Sequence, residues 1–300
     1  MIKENVFVKI VKAAMLVLFL TCLSEKLLVS AADTFPLPDH VRRMADGTYQ
    51  MEIYDIDDGY MNVPYDPGLP HHAYEWEKLR TEKQTGFLNY EDKAYAGQKT
   101  GIDVSKFQGN IDWEKVKESG IDFVMIRMGY RGYSNGKLML DEKFEQNIKG
   151  AADAGIKTGV YFFSQAVNAE EAEEEAEFVL KHIRDYEIAY PVTFDTEKIK
   201  FDEFRADGLT PEALTEITKT FCSIVKKAGY RPMIYANSQW LTTKLNLEEL
   251  TEYDIWYADY EYTDHGNTPR YPYRFAMWQY SNQGRIDGIE GLVDLNLFFE

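Results

Sequence analysis

From residue 99 onward, short runs of apolar, β-branched and aromatic residues recur along the chain. Within each run the hydrophobicity is nearly continuous, which is typical of strands buried on both faces, as in a parallel sheet. The pattern predicts eight strands: Gly101–Ser105, Phe123–Met128, Thr158–Ser164, Pro191–Glu197, Pro232–Ala236, Ile255–Tyr260, Phe275–Tyr280 and Leu292–Leu297.

Helical patterns fill the first five gaps between these runs. Asp112 and Thr210 have the side chains of N-cap residues, and Asn168 with Glu171 resembles a capping box. Five helices are predicted: one after Asp112, one over 141–154, one after Asn168, one from Thr210 to Lys227 and one over about 238–250. After the sixth strand, the links contain Gly, Asn and Pro and are predicted to be loops.

Five strand–helix units followed by three strands predict an α/β fold, a modified TIM-type (β/α)5(β)3 barrel. The segment 99–300 meets the lower length bound of such barrels, roughly 200 residues. A doubly wound open sheet is the alternative. It is disfavoured because the last three strands lack crossover helices and no Gly-rich phosphate fingerprint occurs.

The segment 32–98 differs from the barrel region. It contains half of the chain's prolines and much turn chemistry, without a lasting period. Only Tyr49–Ile56 is predicted to be a strand. We interpret 32–98 as an extension or spacer of unknown role.

Residues 1–31 combine early lysines, an apolar run over 13–23 and a small-residue site at Val29–Ala31. This pattern is typical of a secretory signal peptide, and the run is short for a membrane span. The alternative is an uncleaved signal anchor over Val6–Leu23. In both cases we expect the protein to act outside the cell or at its surface.

The chain has 300 residues, of which 45% are hydrophobic, and a net charge of −17. This composition indicates a globular protein and argues against a nucleic-acid partner, which requires a basic surface. Cys22 lies in the N-terminal apolar segment. Cleavage of that segment would leave Cys222 without a disulfide partner. The histidine spacing does not match a zinc site. We expect a monomer without metal or cofactor.

Four acidic residues interrupt the apolar strands: Asp103 in the first, Asp195 and Glu197 at the end of the fourth, and Asp294 in the eighth. Asp195 and Glu197 are two residues apart and leave the strand on the same side, which we expect to be the mouth of the barrel, where the sites of such folds lie. Neighbouring carboxylates push their pKa values apart, as glycosidic cleavage requires. The alternatives are metal binding by the same acids and, for a single Asp, a helix cap or a loop salt bridge.

Aromatic residues fall at the same level of the predicted strands and would wall a cleft able to stack on sugar rings. They are Tyr161, Phe163, Tyr235, Trp256, Tyr260 and Trp278. For any one of them, barrel core is the alternative. Arg127 on the second strand is either an ion-pair partner of the acids or a substrate contact.

The motifs GIDVSKFQGNIDW, GVYFF, FDTE, IWYADY, WQYS and GLVDLN, in this order and spacing, resemble the glycoside hydrolase family 25 lysozymes. The resemblance covers about 99–300. It implies the same (β/α)5(β)3 barrel and a metal-free N-acetylmuramidase. Such an enzyme cleaves the β-1,4 bond between N-acetylmuramic acid and N-acetylglucosamine in the peptidoglycan glycan strand.

By the same resemblance, Glu197 matches the general acid and Asp195 the carboxylate that stabilises the charged intermediate. Asp103 and Asp294 match two supporting aspartates. The family's sugar-facing aromatic positions correspond in this chain to Tyr161, Phe163, Tyr235, Trp256 and Tyr260. Many members have His where this chain has Phe162, which by alternation faces away from the cleft. The hypothesis is an exported muramidase. The alternatives are an inactive glycan-binding protein and a glycosidase for a related N-acetylated glycan.

Overall fold

The structure is a computed structural model. It describes residues 37–55, 59–83, 85–92, 97–198, 205–260 and 268–299. These residues fall into two compact units, a small one of 37–51 and 65–68 and a larger one holding the rest. The predicted signal or anchor over 1–31 lies outside the described residues. In the part that is described, no helix is long and apolar enough to cross a membrane.

The small unit is built around β1 (Val41–Arg43) and the start of β2 (Tyr49–Asp55), which pair antiparallel. Asp46 closes the connecting turn, because its carboxylate accepts hydrogen bonds from both the backbone and the hydroxyl of Thr48. The strand predicted from Tyr49 is confirmed.

The larger unit contains the other strands and five α-helices among the described residues. Its strands are β3 (Gly59–Pro64), β4 (Leu79–Thr81), β5 (Leu88–Tyr90), β6 (Lys99–Val104), β7 (Phe123–Arg131), β8 (Leu138–Leu140), β9 (Lys157–Phe163), β10 (Val192–Asp195), β11 (Pro232–Asn237), β12 (Asp254–Ala258), β13 (Met277–Gly284) and β14 (Val293–Phe298). Its helices are α1 (Trp113–Glu118), α2 (Phe144–Asp153), α3 (Ala169–Ile183), α4 (Pro211–Lys227) and α5 (Ser238–Thr243).

Eight strands close into a barrel in the order β6, β7, β9, β10, β11, β12, β13, β14. All neighbours are parallel except β14, which runs antiparallel to both β13 and β6. Helices follow the first five barrel strands, and no α-helix occurs in the described residues between β12 and β14. The predicted (β/α)5(β)3 barrel is confirmed. Strand β8, which was not predicted, lies outside the ring and pairs antiparallel with the carboxyl end of β7.

Side chains fill the lumen at the amino ends of the strands. Phe123 and Tyr190 stack with ring centroids 4.4 Å apart, and Phe298 meets Phe123 edge-on at 6.0 Å. Gly101 is required beside them, because a Cβ there would overlap the Phe123 ring. Since this end is blocked, polar chemistry inside the barrel is confined to the carboxyl ends of the strands.

The helix predicted over 141–154 begins at Phe144 instead. Asp141 turns its carboxylate toward the barrel, where Oδ2 accepts a 2.8 Å hydrogen bond from Arg127. Its Oδ1 accepts from the backbone N–H of Lys143 at 2.9 Å. These contacts hold residue 141 outside the first helical turn.

The helix predicted over about 238–250 is interrupted after Thr243. A separate 3₁₀ turn follows at Leu247–Leu250. Between them, the backbone N–H of Asn246 donates to the hydroxyl of Thr215 on α4 at 2.9 Å, in place of a helical carbonyl. A tertiary hydrogen bond therefore ends a helix that the sequence pattern would continue.

Residues 69–92 cover the wall of the barrel formed by its last strands. The Trp76 ring lies 5.9 Å from that of Trp278 on β13, and the backbone N–H of Leu88 donates to the Tyr280 hydroxyl at 3.4 Å. The outward face of β13 is apolar, and among the described residues a short 3₁₀ turn, Trp76–Lys78, contacts it where an α-helix would otherwise lie. This stretch therefore takes the place that a helix has elsewhere in the barrel.

We expect Tyr74→Ala to lower the free energy of unfolding by about 2–4 kcal/mol, near the range for removing a large partly buried side chain. The Tyr74 ring stacks on Phe299 at 4.1 Å, and its hydroxyl donates to the backbone carbonyl of Phe275 at 2.6 Å. Urea unfolding measures the change. The matched control is Tyr133→Ala, an exposed tyrosine whose loss should cost under about 0.5 kcal/mol. Equal effects of the two substitutions would contradict the covering role.

Candidate active site

The four predicted acids come together at one mouth of the barrel, which is formed by the carboxyl ends of the parallel strands and by the amino end of the antiparallel strand β14. Asp103 on β6 and Asp294 on β14 are directly opposite each other in an antiparallel ladder, so their side chains share the lumen face. Asp195 ends β10 and Glu197 follows two residues later. Asp103 and Asp195 are buried, whereas Glu197 and Asp294 are partly exposed. No group of three or more His, Cys, Asp or Glu among the described residues is arranged to hold a metal ion.

Two side-chain amides hold the carboxylate of Asp103. Gln279 Nε2 and Asn296 Nδ2 donate to Asp103 Oδ2 at 2.9 and 2.8 Å. Each amide is oriented by an aromatic donor, since the Tyr235 hydroxyl donates to Gln279 Oε1 and Trp256 Nε1 to Asn296 Oδ1, both at 2.8 Å. The aromatic wall and the acid are therefore joined by two continuous hydrogen-bonded chains.

Asp103 and Asp294 form a pair that favours one shared proton. Burial raises the pKa of Asp103, but hydrogen bonds from Asn296, Gln279 and Asp294 oppose that rise. Burial, the charge of Asp103 and the hydrogen bond between the two carboxyls raise the pKa of Asp294 to about 9. At neutral pH the proton therefore lies on Asp294 and is donated toward Asp103.

Asp195 is not hydrogen-bonded to the Asp103–Asp294 pair. Burial raises the pKa of Asp195 well above the ordinary value, the negative charge of Glu197 raises it further, and the charge of Asp103 contributes to the rise. The positive charge of Arg127 acts in the opposite direction. Among the described residues, Asp195 Oδ1 has no hydrogen-bond partner although it is buried. An unpaired buried oxygen is costly, so this atom favours a polar group of a bound ligand.

Arg127 forms its ion pair with Asp141 and not with the four acids. Its Nε and Nη2 atoms each lie 2.8 Å from Asp141 Oδ2. Its guanidinium carbon lies 4.9 Å from the ring centroid of Phe107 and 5.7 Å from that of Tyr130. The predicted direct pairing with the acids is therefore not observed, and Arg127 affects Asp195 only through its charge.

Five of the six predicted aromatics lie on the lumen side of the strands near the acids. Trp256 contacts Tyr161 and Tyr235 edge-on, with centroid distances of 6.0 and 4.8 Å. Tyr260 packs against the same buried cluster. Phe163 is in register with Asp195 on the neighbouring strand. These rings form one wall around the carboxyl end of the lumen.

Trp278 is not brought to this group. Strand alternation places Met277 in the lumen core and aims Gln279 at Asp103, so the residue between them faces outward. The Trp278 side chain is buried, but its ring contacts Trp76 and its Nε1 donates to a backbone carbonyl outside the lumen. Phe162 likewise faces away, as predicted, and contacts Phe178 on α3 with centroids 6.2 Å apart.

The model of the family "Glycosyl hydrolases family 25" matches residues 102–289, which is most of the barrel. The chain belongs to glycosyl hydrolases family 25. The family resemblance of the sequence motifs is therefore confirmed.

Characterised lysozymes are among the similar proteins. Lysozyme M1 of Streptomyces globisporus is 28% identical over 207 residues, or 66% of this chain and 67% of that protein. The autolytic lysozyme of Clostridium acetobutylicum is 25% identical over 200 residues, which span 67% of this chain but only 56% of that protein. The crystal structure of the bacterial lysozyme from Streptomyces coelicolor has a TM-score of 0.55 and 25% identity, and the match covers 66% of this chain and 91% of that one. This family 25 protein is a glycoside hydrolase of the lysozyme type.

Gln279 and Asn296 were not predicted as site residues, although the sequence contains a signal for both. Each is a polar amide inside an apolar strand, and Asn296 has the same alternation parity as Asp294. A buried amide needs partners on its oxygen and on its nitrogen. In this family 25 barrel, an acid supplies one partner and an aromatic donor supplies the other.

In this family 25 enzyme, we expect Asp294→Asn to keep more activity than Asp294→Leu. The raised pKa of Asp294 means that the wild-type side chain is neutral and donates a hydrogen bond at neutral pH. An asparagine amide is also neutral and also donates, whereas leucine leaves Asp103 without that partner. We expect a loss within about tenfold for Asn and at least about tenfold more for Leu, in line with one to two hydrogen bonds to a charged group. Initial rates on cell walls at pH 7 measure both, and equal losses would show that the shared proton is unimportant.

Proposed function

We propose that this family 25 protein is an exported peptidoglycan muramidase that cleaves the β-1,4 bond between N-acetylmuramic acid and N-acetylglucosamine. One observation carries the proposal: the Asp195–Glu197 pair stands at the end of β10, at the open end of the lumen, where the two carboxyl groups interact electrostatically. Glycoside hydrolysis usually depends on two neighbouring carboxyl groups, one that gives a proton and one that carries negative charge. The lysozyme relatives favour peptidoglycan as the glycan.

In the proposed mechanism, substrate binding places the proton of the pair on Glu197 and leaves Asp195 ionised. Glu197 gives this proton to the glycosidic oxygen while the bond from that oxygen to the anomeric carbon breaks. Positive charge develops at the anomeric centre, and Asp195 stabilises it, directly or through the substrate's acetamido group. Water then adds to the anomeric carbon and returns a proton to Glu197. Glu197 suits this exchange because it is only partly buried and so is open to the cleft.

Asp103 and Asp294 are proposed to support this reaction through the single negative charge that remains when they share one proton at the base of the cleft. We propose that the sugar rings contact the wall formed by Tyr161, Phe163, Tyr235, Trp256 and Tyr260. Aromatic faces suit this role because they bury the apolar face of a sugar and leave its hydroxyls to polar groups.

The remaining assignments of the chain are also proposals. Residues 1–31 direct export, so hydrolysis takes place outside the cell or at its surface. The catalytic unit is 99–300, and 32–98 is an extension of which 69–92 supports the barrel wall. The protein acts as a monomer on the glycan strand.

Mass analysis of the products from peptidoglycan of defined composition tests the proposal. After borohydride reduction, we expect the new reducing ends to be reduced muramic acid. Reduced N-acetylglucosamine would mean that the other bond is cut. Binding to walls without new reducing ends would favour a glycan-binding protein. Faster release from chitin oligomers than from peptidoglycan would point to a related N-acetylated glycan.

A further inference from the structure

Phe107 is the most exposed large apolar side chain in the described part of the chain, with 76% of its surface accessible. It lies on a 3₁₀ turn, Lys106–Gln108, that directly follows β6. Because β6 carries Asp103, this turn is at the catalytic end of the barrel. Single exposed aromatics are ordinary on protein surfaces, so exposure alone assigns no role.

The turn that carries Phe107 is held in one conformation by several hydrogen bonds. Ser105 and Gln108 form a capping box, in which Ser105 Oγ accepts from the Phe107 backbone at 3.3 Å and Gln108 Oε1 accepts from the Ser105 backbone at 2.8 Å. The backbone N–H of Lys106 donates to Asp141 Oδ2 at 3.2 Å. The aromatic ring is therefore presented to solvent on a fixed backbone, which lowers the entropy lost when a ligand binds.

The same turn borders the acids from two sides. The guanidinium of Arg127 lies 4.9 Å from the Phe107 ring centroid, and its charge acts on Asp195 in the cleft. On the other side, Gln108 Nε2 donates to the backbone carbonyl of Leu292 at 3.5 Å, directly before β14. Phe107 is thus continuous with the cleft, and it is not an isolated surface residue.

In the ring of strands, β6 and β7 are across the lumen from β11 and β12, which carry Tyr235 and Trp256. We propose that Phe107 is a stacking platform for a sugar ring of the same glycan strand, on the side of the cleft opposite Tyr235 and Trp256. The inference rests on the proposed function, because it places a further sugar of the polymer beyond those at the acids. A sugar suits the ring because its apolar C–H face covers the aromatic face while its hydroxyls stay in water.

The test compares wild type, Phe107→Ala and Phe107→Trp on purified, peptide-free peptidoglycan glycan strands. For Phe107→Ala we expect kcat/KM to fall about three- to tenfold, mainly through KM, as expected for one aromatic contact. Phe107→Trp should stay within about twofold of wild type, since it keeps an aromatic face. The matched control is Tyr60→Ala, another exposed aromatic, which should leave kcat/KM unchanged.

Two results would overturn the platform: unchanged kinetics of Phe107→Ala, or a loss that Phe107→Trp does not recover. Melting temperatures of all variants show whether a loss of activity comes from unfolding. If Phe107→Ala is unfolded, Phe107→Trp decides the question, because a lowered kcat/KM in a fully folded Phe107→Trp overturns the proposal. Failure of the proposed function is distinguishable. If wild type cuts no glycan, co-sedimentation with purified insoluble cell walls measures binding directly. Phe107→Ala should then weaken binding by the same factor, and equal binding would overturn the platform.

Discussion

Glu197→Gln is expected to reduce peptidoglycan hydrolysis by about a hundredfold or more, within the range by which a positioned general acid speeds a reaction. Glutamine has nearly the shape of glutamate but has no carboxylic proton to give to the leaving oxygen. The side chain is only partly buried, so we expect the variant to fold. Turbidity loss of purified cell walls and release of muropeptides measure the effect.

The same substitution should also alter the titration of Asp195. The charge of Glu197 is one cause of the raised pKa of Asp195, so its removal should lower that pKa. We therefore expect Asp195 to ionise at a lower pH in the variant than in wild type, as observed by NMR of its carboxyl. The matched control for activity is Glu173→Gln, an exposed glutamate on α3 that should digest walls at the wild-type rate. Digestion by Glu197→Gln at that rate would show that another group is the acid.

The barrel was predictable because its strands are short and nearly continuous in hydrophobicity, with helical caps between the early ones. The D-x-E spacing also placed Asp195 and Glu197 on one side without knowledge of the fold. Because the hydrophobicity of the strand is nearly continuous, the sequence did not show on which face of the strand Trp278 lies. In a strand that is apolar on both faces, alternation cannot distinguish lumen from exterior, and only the contacts of Met277 and Gln279 decide it.

Other features depend on contacts between distant parts of the chain. The hydrogen bond from Asn296 to Asp103 joins residues 193 positions apart, and neither residue alone indicates the other. Residues 69–92 have a turn-rich composition, yet their aromatics have partners on the last strands of the barrel. Tyr74, for example, stacks on Phe299 at 4.1 Å. Local pattern therefore predicted which segments form the barrel, but not which side chains complete its site or cover its wall.

A buried ion pair connects β7 to α3 on the outside of the barrel. Arg131 is 3% exposed and Glu175 is fully buried. Arg131 Nε lies 2.8 Å from Glu175 Oε1, and its other nitrogens donate to the backbone carbonyls of Gly136 and Glu171, each at 2.8 Å. Ser164 Oγ donates to the second oxygen of Glu175 at 2.6 Å. Removing the cation would leave a buried carboxylate with only neutral partners.

We expect Arg131→Met to lower the free energy of unfolding by about 3–5 kcal/mol at pH 8, the usual cost of breaking a buried pair from one side. The loss should be smaller at pH 5. Burial already raises the pKa of Glu175 to about 7, and loss of Arg131 should raise it further, so at pH 5 the carboxyl takes a proton and the uncompensated charge disappears. Urea unfolding at the two pH values measures the difference.

The pH dependence follows from proton counting. The folded pKa of Glu175 lies above the value of about 4.3 for an unfolded glutamate. Between about pH 4.3 and about pH 7 the folded wild type binds more protons than the unfolded chain. The stabilisation that Glu175 contributes is therefore fully present below about pH 4.3 and is lost as the pH rises through about 7. In Arg131→Met this loss of stability should extend to higher pH.

The double variant Arg131→Met/Glu175→Gln has no charge to bury, so it should recover most of the stability at pH 8 and lose the extra pH dependence. If the single variant were equally destabilised at pH 5 and pH 8, the effect would come from lost packing of the arginine and not from the buried charge.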